Sequence, residues 1–176
     1  MRVKCILLVS WVATTFMAQA AVGQADGRNR VLQDSMLDRL AGHWKVERTM
    51  QGRTTSSALQ GEWVLNHQFL RLHYQEPNVP SATAYEAMVF IGYDNASERY
   101  VAHWIDVFGG RYSETLGYGI RDANAIRFVF EYPDGPFHNT FTFDPVKGSW
   151  TSLMRTKNAK GEWVTFANEQ IVKTSN

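Results

Sequence analysis

From Gly42 almost to its end the chain repeats one device: apolar and polar residues alternate, and each alternating run stops at a short turn signal. Alternation with period two gives every run one face for a core and one for water. The turns are too short for parallel neighbours, which need a crossover of about a dozen residues, so consecutive runs must pair antiparallel. The candidate strands are 43–50, 58–66, 67–76, 83–94, 98–108, 111–120, 124–132, 137–144, 149–157 and 162–173. Between them lie Gln51-Gly52, Pro77 to Pro80, Asp94-Asn95, Gly109-Gly110, Asp122 to Asn124, Pro133-Asp134-Gly135, Asp144-Pro145 with Lys147-Gly148, and Lys160-Gly161. A sheet of this many strands has two edges to protect, and closure removes both. The expected fold is therefore all-β: a closed antiparallel up-and-down β-barrel of about ten strands. One short N-terminal helix is expected ahead of it over 31–41, where Val31, Leu32, Met36, Leu37 and Leu40 recur at helical spacing and Asp34 or Ser35 serves as cap.

The first residues obey a different rule. Arg2 and Lys4 precede an apolar run from Cys5 to Met17, the layout of a secretory signal, and small residues permit cleavage after Ala20 or Ala25. The run is shorter than the ~20 apolar residues that span a bilayer, so no membrane span is expected. We take residues 1–25 as a signal peptide and 26–176 as a single domain, exported to the bacterial periplasm or the extracellular space. Arg2, Lys4 and the lone Cys5 go with the signal, which turns the formal charge of +1 into −1 and leaves a domain that no disulfide can staple. Asn95-Ala-Ser97 matches a glycosylation acceptor, relevant only in a eukaryotic secretory pathway. A nearly neutral chain offers nucleic acid no electrostatic footing. Aromatic residues, at 13% of the chain, are the compositional excess that a barrel interior has to absorb.

Certain landmarks resemble a known family. Leu40-Ala41-Gly42-His43-Trp44 is similar to the helix-to-strand opening of lipocalins. Gly61 to Arg71, then Phe90-Ile91-Gly92-Tyr93-Asp94, then Trp104-Ile105-Asp106 followed by Gly109 resemble a lipocalin-like, mostly bacterial family of unknown function with a Gly-Tyr-Asp turn and a Trp-x-Asp strand end. The resemblance covers about residues 38–173 and implies a closed barrel related to the calycins. It departs at Asn66-His67, where the family usually carries a glycine pair. The nitrobindins, also similar, hold a haem iron through a histidine close to the C-terminus, but here no histidine follows His138. No haem or other cofactor is expected.

Individual residues divide into packing and chemistry. In the resemblance Trp44 packs at the closed end of the barrel, with Arg155 or Lys173 as a cation to lie over its indole. Segment 137–143 turns Phe137, Asn139, Phe141 and Phe143 to one face and His138, Thr140 and Thr142 to the other. Trp104 and Asp106 share parity with Tyr100 and Phe108, so an inward Asp106 needs either a backbone partner near Gly109-Gly110 or a role at the mouth of a pocket. His103 has the opposite parity. His67 and His73 stand too far apart along a strand to share a metal, and without His-x-His spacing or cysteine no metal site is expected. No nucleophile elbow occurs, and Gly117-Tyr118-Gly119, with no helix after it, suggests a bulge or tight bend and not a phosphate loop.

These residues suggest an exported barrel that binds a small hydrophobic or amphipathic molecule, through Phe90, Tyr93, Trp104, Asp106, Phe130, Phe141 and Arg155, with Phe128, Phe143 and Phe166 as further lining. The alternative is a cavity enzyme, an isomerase, cyclase or hydrolase, using a pocket carboxylate. Nothing in the sequence sets an oligomeric state.

Overall fold

Ten strands pair in chain order and the last returns to the first: β1 (Gly42–Met50), β2 (Arg53–Val64), β3 (Phe69–Gln75), β4 (Glu86–Asp94), β5 (Arg99–Asp106), β6 (Leu116–Asp122), β7 (Ala125–Tyr132), β8 (Gly135–Asp144), β9 (Ser149–Lys157) and β10 (Trp163–Lys173). This computed structural model describes residues 31–80 and 83–174, and the signal expected over 1–25 lies outside them. All neighbours are antiparallel, including the closing pair, in which Val46 faces Ile171 and Arg48 faces Glu169. Alternation decides what enters the barrel: Val46, Leu59, Leu72, Val89, Ala102, Phe128, Phe141, Ser152 and Ile171 are all buried.

One end of the barrel is stoppered. Residues 31–41 do not form a continuous helix; only one turn, α1 (Ser35–Asp38), is helical. Asp34 caps it, accepting from the backbone N–H of Met36 at 2.8 Å and of Leu37 at 3.0 Å, and its other oxygen accepts from the Tyr100 hydroxyl on β5. Met36, Leu37 and Leu40 are buried completely or nearly so, each worth about 1.5–3 kcal/mol of apolar transfer. Two indoles hold the stopper from below: Trp44 Nε1 donates to the Leu40 carbonyl at 3.0 Å, and Trp150 Nε1 to that of Arg39 at 3.3 Å. Of the two cations expected near Trp44, Lys173 is the one over its ring, 5.6 Å from the centroid, while Arg155 lies over Trp163.

Strands two and three are not contiguous, as the alternation suggested, but are separated by a turn in which Leu65, Asn66 and His67 all take positive φ, at 50°, 56° and 61°. Three successive non-glycine residues in that region store strain. It is held by contacts to the N-terminal segment: the His67 carbonyl accepts from Leu32 N–H at 3.0 Å, the His67 ring meets the Leu32 carbonyl at 2.9 Å, and the same ring stacks on Trp63 at 3.9 Å. Leu65 makes no such compensation and is 68% exposed. Leu65→Gly is therefore expected to stabilise the fold by about 0.5–1 kcal/mol, strain relief less the backbone entropy of glycine, read as a higher urea midpoint.

Two further expectations are corrected. Residues 111–113, expected to begin a strand, instead join Gly110 in a helical turn, α2 (Gly110–Ser113), and β6 starts only at Leu116. Gly109 precedes it at φ 84°, and Arg111 and Tyr112 fasten it to Asp134 at 2.9 and 3.0 Å. Gly117 and Gly119 form no bulge; they continue the regular ladder, opposite Phe130 and Phe128. A Cβ at either would fall within 2.6 Å of the ring it faces, so hydrogen is what lets these aromatics lie flat against the wall. A register shift does occur in β10, between Thr165 and Ala167, and makes Phe166 the extra residue.

Candidate functional site

Away from the stopper the interior is not filled. A cavity of about 920 Å³ opens at the opposite end, near the top of the ~300–1,000 Å³ range of small-molecule sites. Its wall is aromatic: Tyr85 and Trp104 on one side, Phe130, Tyr132 and Phe137 on the other, with Phe108, Tyr112 and Phe166 at the mouth. The rings lock one another. Phe130 stacks on Tyr132 with centroids 5.6 Å apart, Tyr132 meets Tyr112 and Phe137 edge-on at 5.6 and 5.9 Å, and the bulged Phe166 meets Phe137 at 5.4 Å. Phe108, 73% exposed and 6.1 Å from Tyr85, is the most exposed aromatic ring among the described residues.

A polar layer forms the floor between this cavity and the apolar closed end. Arg48 reaches inward from β1, and its Nε and Nη2 lie 2.7 and 2.6 Å from Oε1 of Glu169, whose side chain is wholly inaccessible. Burial works against the Arg48 charge, but Glu169 together with Tyr85 and Tyr74 outweighs that and pushes its pKa up. Burial likewise raises the Glu169 carboxyl, against the pull of Arg48. Within this layer Arg48 Nη2, the Tyr74 hydroxyl and Glu169 Oε2 are buried without hydrogen bonds. Tyr85 covers Arg48 with its ring centroid 4.5 Å from the guanidinium carbon. Alongside, Ser152 donates to Asn139 at 2.9 Å, both fully buried.

Asp106 closes the ring of polar groups at the upper edge of this floor. Its Oδ1 accepts from Phe108 N–H at 3.0 Å, so it does have the backbone partner expected of an inward aspartate, and it also lines the cavity. Burial holds its carboxyl above the usual range. Burial pushes the neighbouring Tyr85 and Tyr132 hydroxyls up to about 12, Asp106 adding to the rise in both, so both remain protonated donors at neutral pH. Tyr85 in turn accepts from Trp104 Nε1 at 3.3 Å. No group of three or more metal-ligating side chains converges among the described residues.

Residues 32–170, which include α1 and nearly the whole barrel, match the model of a family described as protein of unknown function (DUF1579). The chain belongs to that family. A ten-strand closed barrel in this DUF1579 protein fits a lipocalin-like fold. No curated protein matches the chain.

Of the residues the sequence singled out in this DUF1579 chain, the structure brings Trp104, Asp106 and Phe130 together on the cavity wall. Phe141, 2% exposed, and Tyr93 lie deeper, Tyr93 packing edge-on against Tyr100 at 5.1 Å, and neither lines the cavity. Phe90 and Arg155 are on the outer face. Phe90 pairs with His103 between the inward residues Val89 and Ile91, and Arg155 donates to the Trp163 carbonyl at 3.2 Å. Sequence reasoning passed over Arg48 and Glu169 and gave Tyr85 and Tyr132 no role beyond ordinary residues of the barrel wall. A signal for the first pair existed: Arg48 shares parity with Trp44 and Val46, and Glu169 with Ile171, which puts two charges on apolar faces.

Proposed function

We propose that this barrel binds a small apolar or amphipathic molecule, taken into the cavity through the end opposite the stopper. The observation that supports it is the void itself: about 920 Å³ walled by interlocked aromatic rings, with charged groups confined to the floor and rim. A core that merely packed would have closed over such a space, because interiors approach crystalline density. We further propose that the domain is exported, on the strength of the Arg2, Lys4 and Cys5-to-Met17 pattern, and that it is kin to the calycins through its Gly-Tyr-Asp and Trp-x-Asp landmarks.

Binding of 1-decanol by calorimetry tests the cavity, together with native mass spectrometry of the purified protein for a co-purified guest. Thr156 lines the cavity, and Thr156→Trp, which takes up part of that space, is expected to weaken decanol severalfold while leaving the melting temperature no lower. Unchanged affinity in that variant would place the guest elsewhere.

The second reading is a cavity enzyme acting through Asp106. What favours it is a carboxyl raised by burial and flanked by two protonated phenols, an arrangement that can take and give a proton.

A further inference from the structure

The charges around the cavity do not balance, and the imbalance has a location. Arg48 is matched by Glu169 beneath it, and Asp134 by Arg111 at 2.9 Å. Arg53 and Glu76, both on the rim, offset one another in number. That leaves Asp106, which makes no ion pair with any described residue. An acidic head group entering here would meet a carboxylate that has no ion-pair partner, only the more distant field of Arg48 and the Phe108 N–H. The cation on the floor, Arg48, hydrogen-bonds Glu169 through Nε at 2.7 Å, holds Nη2 2.6 Å from the same oxygen without a hydrogen bond of its own, and lies under the ring of Tyr85.

The surroundings of Asp106 are those that stabilise a cation. Trp104 precedes it by two residues on the same face of β5, and Tyr85, Phe108 and Tyr132 share the cavity wall with it. Aromatic faces carry negative quadrupole density, so a desolvated ammonium over such rings is attracted beyond its charge pairing, which is the principle of aromatic cages. The remaining wall, Phe130, Phe137, Met154 and Phe166, is suited to an apolar body.

Resting on the reading of this cavity as a binding site, we propose that its guest is a cationic amphiphile, an alkyl or aryl ammonium, whose head group pairs with Asp106 among Tyr85, Trp104 and Tyr132 and whose apolar part lies against Phe130 and Phe137.

Three probes with one tail and different heads test this by calorimetry on the purified full chain: decyltrimethylammonium, 1-decanol and decanoate. The cation is expected to bind about tenfold or more tighter than decanoate, with the gap narrowing at high salt. Asp106→Asn keeps an oxygen for the Phe108 N–H, and it is expected to weaken the cation about tenfold while decanol affinity stays within twofold. Decanol thus reports that the variant is folded and its cavity open. Decanoate equal to or tighter than the cation in the wild type overturns the inference, as does a cation affinity that Asp106→Asn leaves unchanged, and in either case decanol binding still upholds the cavity. Failure of all three probes overturns the cavity and the cation preference together.

Discussion

Glu169→Ala is expected to cost about 3–5 kcal/mol of folding free energy, because it leaves the Arg48 guanidinium inside the barrel without its counter-ion. The Tyr85 ring 4.5 Å away and the Tyr74 ring at 5.8 Å are no substitute, since cation–π attraction is worth about 2 kcal/mol at best in such a setting. Attraction between the two charges is not the main term. Desolvating both groups consumes most of what their pairing returns, so replacing Arg48 and Glu169 together with Met and Leu is expected to recover most of the loss. Urea unfolding of the wild type, Arg48→Met, Glu169→Leu and the double variant that combines them measures this as a coupling energy. If the double variant is as unstable as the sum of the singles, the loss is one of packing and the account given for the floor fails.

The second large effect lies at the other end. Gly61→Ala would put a Cβ 2.2 Å from the Leu40 carbonyl oxygen and 3.1 Å from the Cα of Ala41, both of them backbone. No rotamer change relieves such a contact, so the segment following α1 has to move. Leu40 is 1% exposed and its carbonyl accepts the Trp44 indole, so displacement empties a core position and breaks a buried hydrogen bond at once. A loss of about 3 kcal/mol is expected, the upper end for overpacking, with Trp44 emission shifted to the red. Gly110→Ala is the control: its Cβ would meet nothing within 4 Å and its backbone is not left-handed, so stability should stay within about 0.5 kcal/mol. A Gly61→Ala protein as stable as this control would show that the stopper yields freely.

Where alternation was strict the sequence was a sound guide. Phe137 to Phe143 shows its inward face without help, since only one parity is apolar, and β8 forms as expected. Where both faces are apolar it was mute. In β4, Met88 and Phe90 compete with Ala87, Val89 and Ile91, and register against β3 and β5 decides that the odd positions face inward. The first half of β2, Arg53 to Ser57, was missed for the converse reason, because it opposes the polar end of β1 and has no apolar residue with which to announce itself. Arg48 and Glu169, 121 positions apart, needed ring closure to become neighbours. Their parity hinted at burial, but a partner at that distance follows only from knowing that β1 pairs with β10. The turn at Leu65 to His67 hid because nothing there is glycine or proline, the residues by which such turns are usually detected.

The stopper also bears on kinetics. With Met36, Leu37 and Leu40 sealing one end and the Arg48 layer beneath the cavity, the barrel of the described residues opens at the other end. On the proposed reading a guest would back out along the path it entered, so an incoming molecule could not drive it forward, and exchange would proceed by departure first and refilling second. Off-rates measured against increasing competitor should therefore reach a plateau, set by how fast the mouth around the exposed Phe108 lets go.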